Sequence, residues 1–134
     1  MKRYVLDSFA LIAFFEDEAG ADIVERILVE ITTKKAEGFM SIINWGEIYY
    51  STMREQGVDD AERIIKQLTK YPIKLIDADK ELTYRAAKLK AQHKIAYADC
   101  FAAALSSQLK ASLVTGDPEF IKLSNEISIH WIAQ

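Results

Sequence analysis

The chain has 134 residues, 50% of them hydrophobic and 28% charged, which suits one compact domain with a buried core and excludes both a disordered segment and a multidomain enzyme. Seventeen basic against 20 acidic side chains leave a net charge of −3, which argues against bulk positive charge as the grip on a polyanion, so any such partner is held locally. The single cysteine, Cys100, cannot form an internal disulfide, and a reducing cytoplasm is the expected compartment.

Lys2 and Arg3 ahead of the apolar run Phe9 to Phe15 imitate a signal peptide. Asp7 lies inside that run's approach, however, and Glu16, Asp17 and Glu18 follow it where a cleavage site wants neutral residues. No other stretch approaches the ~20 apolar residues of a membrane-spanning helix, so the chain reads as soluble and uncleaved.

Tyr4-Val5-Leu6 predicts a short strand ending at Asp7-Ser8, a pair suited to capping a helix over Phe9 to Phe15. Ile23, Ile27, Leu28 and Ile31 repeat at helical spacing, with Lys34 and Lys35 suiting a C-terminus before Gly38 breaks the pattern. Phe39 to Ile42 predicts a buried strand, Asn44 opens a helix that Gly57 stops, and Asp59 starts another that Pro72 ends. Ile73 to Ile76 is a third strand, and Asp79 begins a helix reaching toward His93. Ala98 to Leu109, rich in alanine, predicts a closely packed helix, and Ser112 to Thr115 a fourth strand followed by the turn, cap and helix-start residues Gly116-Asp117-Pro118. Ser128 to Ile132 is the last strand. Alternating strands and helices predict a three-layer α/β/α domain over residues 1–134 with a mostly parallel five-stranded sheet, because parallel neighbours need crossover helices.

In such a sheet ligands bind beyond the carboxyl ends of the strands. Asp7 follows the first strand and Asp117 the fourth, Glu47 lies one turn into the helix after the second, and Asp99 opens the alanine-rich helix. These carboxylates would repel one another in a shared crevice, and a divalent cation relieves that. Oxygen donors favour Mg²⁺ or Mn²⁺, since the two histidines and one cysteine offer no zinc spacing. Each acid has a plainer reading as well. Asp7 and Asp117 read as helix caps, and Asn44 with Glu47 reads as a capping box in which Glu47 reaches back to the Asn44 backbone. Asp99, between Ala98 and Cys100-Phe101-Ala102-Ala103, is the hardest to explain structurally, because a buried carboxylate needs a partner or a metal.

Four stretches carry a family resemblance: Tyr4 to Ile12, Asn44-Trp45-Gly46-Glu47-Ile48-Tyr49-Tyr50, Tyr97-Ala98-Asp99-Cys100-Phe101-Ala102-Ala103-Ala104-Leu105, and Val114-Thr115-Gly116-Asp117-Pro118-Glu119-Phe120. In order and spacing they resemble a PIN-domain ribonuclease, specifically the toxin of a VapBC toxin–antitoxin module. The resemblance implies that Asp7, Glu47, Asp99 and Asp117 are the catalytic and metal-site acids, holding one or two Mg²⁺ or Mn²⁺ ions for phosphodiester hydrolysis in RNA. It implies supporting positions for Thr115 and Ser8, and it places Glu119 where the family often has a further aspartate. A homodimer and a cognate VapB-type antitoxin are the implied partners.

Arg85, Lys88, Lys90 and Lys94 form the densest basic stretch and are the candidate wall for the RNA backbone, against the plainer reading of a solvated helix face. His93 either titrates or packs its ring, and Trp45, Tyr49 and Tyr50 either stack on bases or belong to packing surfaces. Two other functions remain open on the residues alone. One is a nuclease of RNA maturation or quality control. The other is a non-catalytic, Mg²⁺-binding receiver-like domain with Asp77 as phosphoacceptor.

Overall fold

The computed structural model describes residues 1–133. Its five strands are β1 (Lys2–Leu6), β2 (Ala36–Ser41), β3 (Ile73–Ile76), β4 (Ser112–Thr115) and β5 (Ile129–Trp131). All four pairings are parallel, in the order β3-β2-β1-β4-β5, so the expected mostly parallel sheet is wholly parallel. Six helices cross over between them: α1 (Ser8–Phe15), α2 (Ala21–Thr32), α3 (Ile42–Gln56), α4 (Val58–Leu68), α5 (Lys80–Gln92) and α6 (Tyr97–Leu109). None is long and apolar enough to cross a membrane.

Side-chain alternation along the central strands separates two cores, as a period of two dictates. Tyr4, Leu6, Met40 and Val114 point into the layer with α1, α2, α3 and α4, where Leu11, Ile27, Ile48 and Ile64 meet them. Val5, Phe39 and Leu113 point the other way, against Leu82 and Ala86 of α5 and Phe101 and Leu105 of α6. Every residue of α6 from Cys100 to Ser106 is buried, and the alanines among them let the helix axis approach the sheet closely.

The chain runs from β1 outward to β2 and β3, then returns to build β4 and β5 on the opposite side. The reversal falls between β1 and β4, and a crevice opens there beyond their carboxyl ends. Tyr4, Val5 and Leu6 pair in register with Ser112, Leu113 and Val114, so β4 runs one residue past the end of β1.

Several sequence expectations change in detail. Gly38 does not end a helix but sits inside β2, paired with Tyr4 and Ile73. The helix before it stops at Thr32, and Lys34 turns the chain with a φ of 64°. Asn44 does not open α3. Ser41 is the N-cap, accepting from the Ile43 N–H, and Ile42 is helical instead of closing β2. Gly57 caps α4, which begins at Val58, one residue before Asp59. The segment after Asp117 is a 3-10 helix, Pro118–Leu123, in place of an α-helix.

The receiver-like alternative fails on topology. Its phosphoacceptor Asp77 follows β3, an edge strand separated from β1 by β2, and lies exposed outside the crevice.

Candidate active site

Asp7 leaves β1 and caps α1, its Oδ1 accepting the Ala10 N–H at 2.8 Å. Only 1% of the residue is exposed. Burial pushes its carboxyl up to about 8, opposed by hydrogen bonds from Thr115 and the Ala10 N–H and reinforced by the charges of Asp99 and Asp117. Asp117 emerges beyond β4 and caps the 3-10 helix, its Oδ1 accepting the Glu119 N–H at 2.9 Å, while its own N–H donates to Thr115 Oγ1 at 3.0 Å. Capping uses Oδ1 of each aspartate and does not engage Oδ2, although Asp7 also accepts from Thr115, so the cap and ligand readings are compatible.

Asp99 lies in the first turn of α6. Burial again raises its carboxyl, to about 7, followed by the charges of Asp117, Glu47 and Glu119. Glu47 projects from α3, where its Oε1 accepts from Ser8 Oγ at 2.9 Å and from Asn44 Nδ2 at 2.9 Å. Glu47, Asp99 and Asp117 line one open hollow of about 300 Å³ with Ser8, Phe9 and Glu18 on its walls. The fold therefore brings Asp7, Glu47 and Asp117 each within electrostatic reach of Asp99. Two supporting hydroxyls meet them directly, Ser8 on Glu47 and Thr115 between Asp7 and the Asp117 N–H.

Glu119 also faces the group. It raises the Asp99 carboxyl and pairs with Lys122 at 3.1 Å. Lys122 further donates to the Lys94 carbonyl at 2.8 Å, tying the rim to the loop before α6.

The basic stretch is distributed differently. Arg85 pairs with Glu81 at 3.4 Å and, with Lys88, lines a separate hollow bounded by Gln92 and Ile127. Lys88 lies over the Tyr84 ring, 5.8 Å from its centroid. Lys90 donates to the Ile95 carbonyl at 2.8 Å, bracing the loop that delivers Asp99. His93 Nε2 meets Glu126 at 2.8 Å. The aromatics near Glu47 turn elsewhere. Trp45 packs on the α1–α4 core, Tyr49 donates to Glu62, and exposed Tyr50 has Arg54 over its ring.

Two residues of the site are not evident from sequence position. Glu18 stands on the wall of the hollow although it follows a helix, outside the strand-end positions where ligand residues are sought. Asn44, fully buried, holds Glu47 where a helix cap was expected.

Among the described residues no three acidic, histidine or cysteine side chains cage a single point as they stand, although Mg²⁺ is commonly held by only one or two carboxylates with waters completing its shell. The donor set fits a hard divalent cation on chemical grounds. Asp7 and Asp99 are both driven toward the neutral form by burial and by their acidic neighbours, a penalty that a cation removes, and the donors are all oxygen.

Fold and site together define a doubly wound α/β domain with an oxygen-donor acidic site at its switch point. The chain belongs to the PIN domain family, whose family model matches residues 4–126. Comparison with curated proteins finds no sequence match. Among solved structures it is similar to VapBC2 from Rickettsia felis, bound to a DNA fragment from its promoter, with 17% identity and a TM-score of 0.76 over 96% of this chain and 97% of that one. DNA-bound VapBC from Salmonella typhimurium shares 14% identity and a TM-score of 0.75 over 99% of this chain and 100% of its own. VapC20 from Mycobacterium tuberculosis, a sarcin-ricin-loop-cleaving toxin, shares 14% identity and a TM-score of 0.72 over 94% and 96%. At these identities the likeness is one of fold.

Proposed function

We propose that the chain is a divalent-cation-dependent endoribonuclease and the toxin of a toxin–antitoxin pair. The observation that carries this is the gathering of Glu47, Asp99 and Asp117 on one hollow at the switch point of a PIN domain, with Asp7 buried within electrostatic reach of Asp99 and Asp117, and with Asp7 and Asp99 electrostatically unsatisfied without a cation. Asp7, Asp99 and Asp117 would hold one or two Mg²⁺ or Mn²⁺ ions, with Glu47 either ligating or positioning water. A bound ion supplies charge stabilisation at the phosphoryl oxygens and a more acidic water.

The chain's own residues do the rest. Ser8 and Asn44 fix Glu47 through Oε1, leaving Oε2 to take a proton from the attacking water. The water oxygen bonds to phosphorus as the bond to the leaving ribose oxygen breaks, and that oxygen gains a proton. One fragment ends in phosphate and the other in hydroxyl. Thr115, between Asp7 and Asp117, orients those carboxylates, and Glu119, held by Lys122, borders the site. Arg85, Lys88, Lys90 and Lys94 would contribute at most an outer contact with RNA, because Arg85 and Lys88 line another hollow and Lys90 is committed to a carbonyl.

The VapBC complexes of like fold support a cognate VapB-type antitoxin as partner, and a homodimer acting in the cytoplasm completes the proposal. Purified chain is expected to cleave RNA in Mg²⁺ or Mn²⁺ and to stop in EDTA. Asp99→Asn should lower the rate by more than the ~10–100-fold typical of losing an outer-sphere partner. Undiminished cleavage in EDTA would sink the mechanism. A nuclease of RNA maturation is the competing role, and growth inhibition on expression, relieved by co-expressing the adjacent gene, separates the two.

A further inference from the structure

Asn44 is fully buried where the helix carrying Glu47 meets the helix carrying Asp99. Its Nδ2 donates to Glu47 Oε1 at 2.9 Å and to the Ala98 carbonyl at 3.3 Å. Ala98 is the residue immediately before Asp99. A side-chain amide has two N–H donors, and both are committed here, one to each helix. Its Oδ1 is buried with no hydrogen-bond partner among the described residues. Flipping the amide would set that oxygen against two acceptors and leave both N–H groups unpaired, so the hydrogen bonds determine its orientation.

An orphaned buried acceptor is unfavourable, and capping does not require it, because Ser41 already caps α3. Side chains of similar size do not replace the double donor. Aspartate would face Glu47 and the carbonyl with oxygens, serine has one hydrogen to give, and leucine has none. We propose that Asn44 is a positioning residue that fixes Glu47 relative to the start of α6, and through that spacing sets the affinity of the site for its divalent cation. This rests on the cation-dependent reading of the site given above.

The test uses the full chain with Asn44→Leu and Asn44→Ser, measuring Mn²⁺ affinity by calorimetry, thermal melting without metal, and RNA cleavage. Leucine removes both donors together with the orphaned oxygen, so metal-free melting should stay close to that of the unsubstituted chain. Mn²⁺ affinity should weaken about 10–100-fold, the size expected for losing an outer-sphere partner, with serine between the two. In cleavage, kcat should fall while KM for RNA holds.

Unchanged Mn²⁺ affinity in Asn44→Leu overturns the proposal, as does a lowered melting temperature with affinity intact, which would mark a packing role. If the leucine variant does not fold, the serine variant decides by the same affinity comparison. An unsubstituted chain that binds Mn²⁺ without cleaving RNA overturns the nuclease reading and leaves this test standing. A chain that binds no Mn²⁺ overturns the positioning role itself.

Discussion

A carboxyl that is 1% exposed beside two other acids, as Asp7 is, favours its neutral form near neutral pH, and this has a consequence for stability of definite sign. Unfolded, both Asp7 and Asp99 titrate at their ordinary 3.8, whereas folded they titrate at about 8 and about 7. Between those values the folded chain binds more protons than the unfolded chain. Stability without metal is therefore greatest below the ordinary value and is lost as pH rises through the folded one. Asp7→Asn removes the larger shift and keeps the cap, because asparagine's oxygen can still accept the Ala10 N–H. In EDTA, the unsubstituted protein should lose melting temperature relative to Asp7→Asn as pH rises from about 5 to about 9. Parallel curves would mean that Asp7 keeps an ordinary carboxylate. Mn²⁺ affinity should rise across the same range, because cation and proton compete for the same oxygens.

At the level of elements, the meeting of α2 and β2 depends on a missing side chain. A Cβ on Gly38 would lie 2.6 Å from Ile31 Cδ1 and 3.3 Å from its Cγ1, too close for either to keep its place. Gly38→Ala should destabilise by about 1–3 kcal/mol, lowering the melting temperature by roughly 4–12 °C. Ile31→Val removes the clashing methyl, so the double variant should recover part of that loss, a coupling that a double-mutant cycle measures. Stability unchanged in Gly38→Ala would show that Ile31 yields freely. The same glycine shows where sequence reading stops. Read alone it is a breaker, and only register and the neighbouring helix reveal it as a contact. Strands β3 and β4 were legible to the residue and α5 to within a residue of its start, because Pro72, Asp79 and Gly116 punctuate them sharply. The start of α3 was misplaced because Ser41, Asn44 and Glu47 offer two overlapping cap patterns. Burial chose Ser41 as the cap and turned Asn44 toward α6. The four acids could be nominated from strand ends and helix starts. Glu18 could not, since nothing local distinguishes it from the acidic run it closes.

Across the whole molecule, a net charge of −3 conceals an uneven distribution, since Glu47, Asp99 and Asp117 line one hollow at the switch point and Asp7 is buried beside two of them. Strand order puts them there. With β1 and β4 adjacent and ending within one residue of each other, the first and the last of these acids arrive from opposite halves of the chain, which ties the integrity of the site to closure of the entire sheet. A cation joining these carboxylates, as proposed, would bind the folded chain far better than the unfolded one, and its binding free energy would then add to folding stability. At about 100 times its dissociation constant this amounts to ~2.7 kcal/mol, which for a domain of this size raises the melting temperature by about 10 °C. Calorimetric scans of the metal-free chain with increasing Mn²⁺ or Mg²⁺ should show that rise. Asp7→Asn and Asp99→Asn should flatten it, and Asp77→Asn, outside the crevice, should leave it intact. A rise that survives both site substitutions would place the cation elsewhere on this acidic surface and separate the stabilising ion from the four acids at the switch point.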